Sequence, residues 1–241
     1  MTVTDVNVVK SAIFERPDDA NKGTLGSLLC VCGSYGMAGA AVMSAKGALR
    51  TGIGLAKCAL PRSIYLIVAQ TILESVYYPL SENADGRISK LNVPFLVSES
   101  CKSSATLVGC GLGVCDDTLK IVFSLIENST TPLVLDADAL NCVAKQSEIL
   151  LRKKAPIIIT PHPGEMSRLT GLATPLVNAE RERVALDFAQ KYGVVTVLKG
   201  AGTVIASPNG KMIVNPTGNS GMATGGSGDV LAGMTASILA Q

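Results

Sequence analysis

The chain has 241 residues, enough for one large domain or two small ones. Lys plus Arg number 21 and Asp plus Glu 19, a formal charge of +2, so composition gives no electrostatic reason to expect nucleic acid or an anionic membrane as partner. Hydrophobic residues make up 47% and charged residues only 17%, which excludes disorder as the main state, while the absence of Trp and 4% aromatics argue against a stacking platform for single strands or an aromatic cage for quaternary amines.

In chain order, Met1–Lys10 shows no basic stretch followed by an apolar one, so no signal peptide is expected. Ser27–Cys32 reads as a strand and Ala38–Leu49 as a helix rich in Ala and Met. Gly54–Leu60 is a second strand. Thr106–Val108 is another, ending in the turn Gly109-Cys-Gly-Leu-Gly113. Pro132–Leu135 ends at Asp136, and Pro156–Thr160 ends at Pro161-His162-Pro163. Asn178–Lys191 reads as an amphipathic helix and Val194–Leu198 as a buried strand. Thr203–Ala206 and Met212–Val214 flank the hairpin signal Ser207-Pro-Asn-Gly210, and Val230–Leu239 closes the chain as a small-residue helix. The most apolar runs, such as Tyr65–Val68 and Pro156–Thr160, fall far short of the ~20 residues that span a bilayer. Alternating strands and helices predict an α/β fold, with a mostly parallel sheet covered on both faces.

The seven cysteines are scattered, with only Cys30 and Cys32 close together, on one face of a strand. One histidine and no CxxC pair give no resident metal site. The thiols are expected to be reduced and structural, in a cytoplasmic protein.

Ligands of parallel sheets bind beyond the carboxyl ends of the strands. The unusual residues fall there: Gly33, Gly109–Gly113, Asp136, His162 and Lys199. The segment Asn215-Pro-Thr-Gly-Asn-Ser-Gly-Met-Ala-Thr-Gly-Gly-Ser-Gly-Asp229 is the strongest signal. Small residues let backbone N–H groups converge, and the helix that follows adds a partial positive charge, a cradle for an oxyanion or phosphate. Asp229 at its edge is placed to take a proton from a hydroxyl; helix capping is the plainer role. No Gly-Lys-Ser/Thr follows the glycines, so this is not a Walker A loop. Gly33-Ser-Tyr-Gly36-Met-Ala-Gly39 has GxxGxxG spacing, not the dinucleotide fingerprint. Ala40 and Ala41 beyond it leave room for a flat ligand, or serve tight helix packing. In Lys199-Gly-Ala-Gly-Thr203, Lys199 and Thr203 can meet phosphate or ribose oxygens. His162 between two prolines suits ligand contact, with Glu165 a helix-start charge. Asp136 at a strand end can orient a ligand hydroxyl or hold Mg²⁺ through water. Asp138 reads as a helix start.

The ordered set GSYGMAGAA, GCGLG, DADALN, TPHPGE, KGAGT and NxTGNxGMATGGSGD resembles the ADP-dependent NAD(P)H-hydrate dehydratases of the ribokinase-like superfamily, from about Lys22 to the end. The resemblance implies a ribokinase-like three-layer sandwich with helices on both faces, one domain over residues 1–241 with a lead-in at 1–21. It implies dehydration of the S-hydrates of NADH or NADPH at the expense of ADP or ATP with Mg²⁺. Ala40, Gly113, His162 and Asp229 would contact the hydrated cofactor. Lys199, Gly200, Ala201, Gly202, Thr203 and Gly228 would contact the adenine nucleotide, and Asp229 would be catalytic. A homotetramer is expected, with a separate epimerase as functional partner. Two departures stand out. Cys110 occupies a position where proline is common in the family, which is expected to loosen the turn. The chain stops at Gln241, where family members usually continue with further helices, so a truncated product is expected. The competing readings are a small-molecule kinase of the same superfamily acting on a heterocyclic alcohol, and a nucleotide-binding protein without turnover.

Overall fold

A computed structural model of the chain describes residues 2–3, 9–10, 13 and 15–241. The short aliphatic runs form one ten-stranded sheet: β1 (Thr2–Val3), β2 (Ser27–Val31), β3 (Leu55–Pro61), β4 (Val76–Leu80), β5 (Ala105–Val108), β6 (Leu133–Leu135), β7 (Ile157–Ile159), β8 (Val195–Leu198), β9 (Thr203–Ala206) and β10 (Met212–Asn215). Their spatial order is β1-β10-β9-β8-β7-β6-β5-β2-β3-β4. Only β8–β9 and β9–β10 are antiparallel; the other neighbours run parallel. The chain leaves β2 toward β3 and β4, then returns to lay β5 on the other side of β2. That reversal opens a crevice beyond the carboxyl ends of β2 and β5, the usual place for a ligand.

The helices are α1 (Ala38–Thr51), α2 (Arg62–Thr71), α3 (Val93–Cys101), α4 (Asp116–Asn128), α5 (Asp138–Val143), α6 (Pro163–Thr170), α7 (Thr174–Ala179), α8 (Arg181–Tyr192) and α9 (Ser227–Ala240). Successive strand side chains point to opposite faces, and two cores result. Leu28, Cys30, Cys58, Leu60, Leu107 and Val134 lie under α1, α2 and α9. Leu29, Val31, Val108, Leu135, Ile157 and Ile159 lie under α3 to α8. The three-layer arrangement expected from the sequence is therefore present, and Cys30 and Cys32 do share one face. Among the described residues, the helices on the α9 side stop near β7. Val195, Val197, Ile205 and Ile213 beyond it stay half-buried, aligned across the ladder by the pairs Val197–Ile205 and Ile205–Ile213.

Some expected elements shift. The helix read over Asn178–Lys191 is two helices, α7 and α8, broken at Glu180, whose φ of −124° and ψ of 40° leave the helical region. The helix expected to begin at Glu165 begins two residues earlier, at Pro163, because His162 caps it. The apolar run Tyr65–Val68 lies in α2, where Ile64 and Val68, four apart, are the buried pair. The closing helix starts at Ser227 rather than Val230, which puts Asp229 in its first turn. The expected lead-in at 1–21 lies partly outside the described residues; within it, Thr2–Val3 pairs with Ile213–Val214.

Helices α1 and α9 approach closely because glycines face each other's backbone. A Cβ on Gly47 would stand 2.7 Å from the Val230 carbonyl oxygen, and one on Gly233 would collide with the Ser44 carbonyl. This contact sets where the N-terminus of α9, and so Asp229, sits.

Candidate active site

Four chain segments converge at the carboxyl edge of the sheet. The first is the turn after β5. Gly109 takes φ 126°, and a Cβ there would strike the Asp136 carbonyl, so only glycine fits. Cys110 does not free the turn: its carbonyl accepts from Gly33 N at 2.8 Å, and Ser34 Oγ donates to the Gly111 carbonyl at 2.8 Å. Gly113 N donates to Asp138 Oδ2 at 2.8 Å, tying this turn to the next segment.

The second segment follows β6. Ala137 is the non-glycine residue held at positive φ (49°, ψ −114°) among the described residues. Backbone strain of this kind costs on the order of 1–3 kcal/mol and collects at functional sites. Here it turns Asp136 and Asp138 in different directions. Asp138 heads α5 and takes the Gly113 amide, whereas Asp136 is buried beneath the crevice.

The third is formed by the ends of β7 and β8 and the start of α6. Lys199 Nζ lies 2.7 Å from Asp136 Oδ1, and Thr160 Oγ1 donates to the same oxygen at 2.7 Å. Lys199 Nζ also lies 3.8 Å from Glu165 Oε2. That oxygen accepts the His162 amide at 2.7 Å, while His162 Nδ1 accepts from Gly164 N and Glu165 N at 3.0 and 3.3 Å. The two side chains form a reciprocal cap for α6. With Nδ1 accepting, the proton of a neutral ring resides on Nε2, which faces Glu165 Oε1 at 3.4 Å. Burial pushes the Glu165 carboxyl up, and Lys199 opposes that rise.

The fourth segment is the glycine-rich loop and the start of α9. Thr217–Gly225 is exposed, Gly226 at φ 90° turns the chain into the helix, and Ser227 Oγ donates to the Met222 carbonyl at 2.7 Å. The Gly228 and Asp229 amides lie in the first turn, where the helix offers them no acceptor. They carry the positive end of the helix dipole. Lys199 Nζ lies 3.5 Å from where a Gly228 Cβ would stand, so the ammonium looks onto this helix start. Asp229 Oδ, Asp136 Oδ and Cys110 Sγ lie within 4.8 Å of one another. Burial, and then the nearby Asp136 charge, push the Asp229 carboxyl up. The Cys110 thiol is pushed well up by its contact with Cys32 and by burial.

Asp229, Lys199, Gly228 and, through Glu165, His162 are thus brought to one place. Half of the His162 side chain is exposed. Gly113 is partly exposed at the neighbouring turn, and Gly200, Ala201, Gly202 and Thr203 form an open turn beside it. Thr203 Oγ1 donates to the Gly200 carbonyl at 3.0 Å, so in this structure the hydroxyl closes the turn. Ala40 is buried against Gly111, which favours the packing role among its two sequence readings. Sequence reasoning missed Thr160 and Arg181 as site residues. Thr160 opens TPHPGE, where the histidine draws the attention, and Arg181 sits in an ordinary helical pattern.

A family profile described as NAD(P)H-hydrate dehydratase matches residues 28–241. The chain is 38% identical over 232 residues to a bifunctional NAD(P)H-hydrate repair enzyme of Moorella thermoacetica, covering 96% of this chain and 44% of that protein. It is 36% identical over 234 residues to an ADP-dependent (S)-NAD(P)H-hydrate dehydratase of Neisseria meningitidis serogroup B, covering 94% of this chain and 73% of that one. The chain therefore spans less than half the length of the bifunctional relative. Among solved structures, an ADP/ATP-dependent NAD(P)H-hydrate dehydratase of Bacillus subtilis, co-crystallised with ATP and Mg²⁺, superposes with a TM-score of 0.82 at 29% identity, covering 100% of this chain and 82% of that one. The fold is the ribokinase-like one that the motifs implied, and the chain belongs to the NAD(P)H-hydrate dehydratase family.

Proposed function

We propose that the protein uses ADP or ATP to convert the S-hydrates of NADH and NADPH back to the dihydronicotinamides. The observation that carries this reading is the meeting of Asp229, the Asp136–Lys199 pair and the open start of α9 in one crevice. Asp229 accepts the proton of the hydrate hydroxyl, and the oxygen attacks the terminal phosphoryl group of the nucleotide. The phosphoanhydride bond breaks and the nucleotide leaves one phosphate shorter. The amides of Gly228 and Asp229 face the charge that develops on the phosphoryl oxygens, and Lys199 offsets it. The ring nitrogen then pushes its lone pair inward and expels inorganic phosphate. Loss of a proton from the neighbouring carbon restores the double bond.

His162 and the turn at Gly113 would border the hydrated ring, with Ala40 supporting that turn. Lys199, Gly200, Ala201, Gly202, Thr203 and Gly228 would border the nucleotide. Asp136 has one oxygen filled by Lys199 and Thr160, and the third donor of the cluster is a thiol. That set does not suit a resident Mg²⁺, which prefers oxygen ligands in near-ideal octahedral geometry. Mg²⁺ is therefore assigned to the nucleotide as its counter-ion. The same reading carries a cytoplasmic homotetramer working beside a separate epimerase. The buried free thiols support the compartment, and the bifunctional name of the longer relatives fits a second activity outside the matched region.

The test is to supply hydrated NADPH with ADP or ATP and follow the dihydronicotinamide absorbance. Growth of that band with phosphate release supports the reading. A flat trace, with ATP-dependent phosphorylation of an added heterocyclic alcohol, points to the superfamily's kinases. Calorimetric binding of AMP without any turnover points to a binding protein.

A further inference from the structure

Arg181 breaks three local rules at once. It is the first residue of α8, where a positive charge opposes the helix dipole. Its Nε is buried with no acceptor among the described residues. Burial also acts against its charged form. Local rules broken together at one side chain call for a compensating role.

The compensation lies at the end of β8. Arg181 Nη2 donates to the Leu198 carbonyl at 2.8 Å and to the Lys199 carbonyl at 3.1 Å. The guanidinium lies directly behind Gly200, where a Cβ would stand 2.8–3.1 Å from Nη1, Nη2 and Cζ. Gly200 takes φ 146°, and two residues on Gly202 takes φ 68°. Such a turn has little stiffness of its own. On the other side, Lys199 N donates to the Pro161 carbonyl at 2.8 Å. The backbone of Lys199 is therefore gripped from both flanks, while its side chain crosses to Asp136.

We propose that Arg181 is a positioning residue for the nucleotide: from behind the sheet it fixes the Lys199–Thr203 turn. It touches no reacting atom. It holds the Leu198 and Lys199 carbonyls so that the ammonium and the turn amides keep one arrangement, and its charge sits behind a turn that faces an anion. The role rests on the nucleotide reading given above. The fork of donors matters, so lysine is not an equivalent replacement.

The experiment uses the full chain with Arg181→Met and Arg181→Lys. Amide hydrogen exchange of the 199–203 segment is expected to be about tenfold faster in the Met variant and intermediate in the Lys variant, with the β5 and β6 amides unchanged. The KM for ADP or ATP is expected to rise about tenfold in the Met variant, while the KM for the hydrate stays within about twofold. Unchanged exchange in 199–203 overturns the proposal. So do equal rises in both KM values together with faster exchange throughout the sheet, which mark a general structural role. If the Met variant does not fold, the Lys variant carries the same comparison. If the unaltered protein binds no nucleotide by calorimetry, the functional reading fails and with it the nucleotide part of the role, while the exchange measurement still decides whether Arg181 fixes the turn.

Discussion

Lys199 Nζ and Asp136 Oδ1 meet at 2.7 Å although 63 residues separate them in the chain. The pair joins the end of β6 to the end of β8 across β7, and Thr160 at the end of β7 donates to the same oxygen. Three adjacent strands thus end on one carboxylate. Asp136→Asn leaves the ammonium partly buried, facing the more distant Glu165 at 3.8 Å and the Asp229 carboxylate beyond it. Removing one partner of a buried pair costs roughly 3 kcal/mol, and turnover is expected to fall about a hundredfold as Lys199 loses its aim. A urea melt with kcat on the same preparation checks both. An Asn variant as stable and active as the parent removes the pair from the site.

His162 has two roles that separate by substitution. As the cap of α6 it accepts two amides. Its loss in His162→Ala is expected to cost about 1 kcal/mol. His162→Asn keeps an N-cap acceptor and is expected to retain most of that stability. Both variants remove the imidazole edge, so both should raise the KM for the hydrate more than that for the nucleotide. Equal effects on the two KM values in the Asn variant count against contact between His162 and the hydrate.

The strand ends were legible in the sequence because short aliphatic runs stop at glycine, aspartate or proline, and those stops are where ligands bind in a parallel sheet. Less legible was the segment 62–80. Arg62–Thr71 is rich in β-branched and aromatic residues, yet forms α2 because Ile64 and Val68 make a buried helical stripe. Pro79 sits in β4, which tolerates it because β4 is an edge strand. The role of Asp136 was open, as one of two acids in DADALN. Only the fold shows that strain at Ala137 sends one acid to cap a turn and the other to Lys199. Arg181 carried no signal, since its meaning lies in carbonyls 17 and 18 residues away.

The α1–α9 contact places Asp229 from a distance. Gly233→Ala puts a methyl group into the Ser44 carbonyl, and overpacking of this kind typically costs 1–3 kcal/mol, about. The helices must part, which moves the start of α9 away from Lys199. Turnover is expected to fall more steeply than the melting temperature alone accounts for. Val230→Ala on the same helix, whose side chain is partly exposed, serves as the control and should leave both nearly unchanged. Full activity in a well-folded Gly233→Ala protein shows that the helix separation does not set the site.

Asp229 gives the sharpest contrast between stability and function. Burial first, and the Asp136 charge second, push its carboxyl above the ordinary aspartate value. Between the unfolded value and the raised folded value, the folded state binds more protons than the unfolded one. Stability therefore falls as pH rises through that window, and the loss persists above it, where Asp229 is ionised. Asp229→Asn removes this opposing charge. The variant is expected to melt at a higher temperature than the parent at pH 7, and the difference should vanish below the window. Nucleotide binding is retained, because Asn keeps the backbone amide at the start of α9. Turnover is expected to fall by about 10²–10⁴, the usual contribution of a positioned general base. In the parent, kcat/KM should decline on acidification with a midpoint above that of an ordinary aspartate, because protonation of the base precedes that of exposed carboxyls. Thermal melts across pH, calorimetry with AMP and a pH–rate profile test the three parts separately. A variant that turns over normally shows that this carboxylate does not draw the proton, and one that melts lower than the parent at pH 7 shows that its charge does not oppose folding.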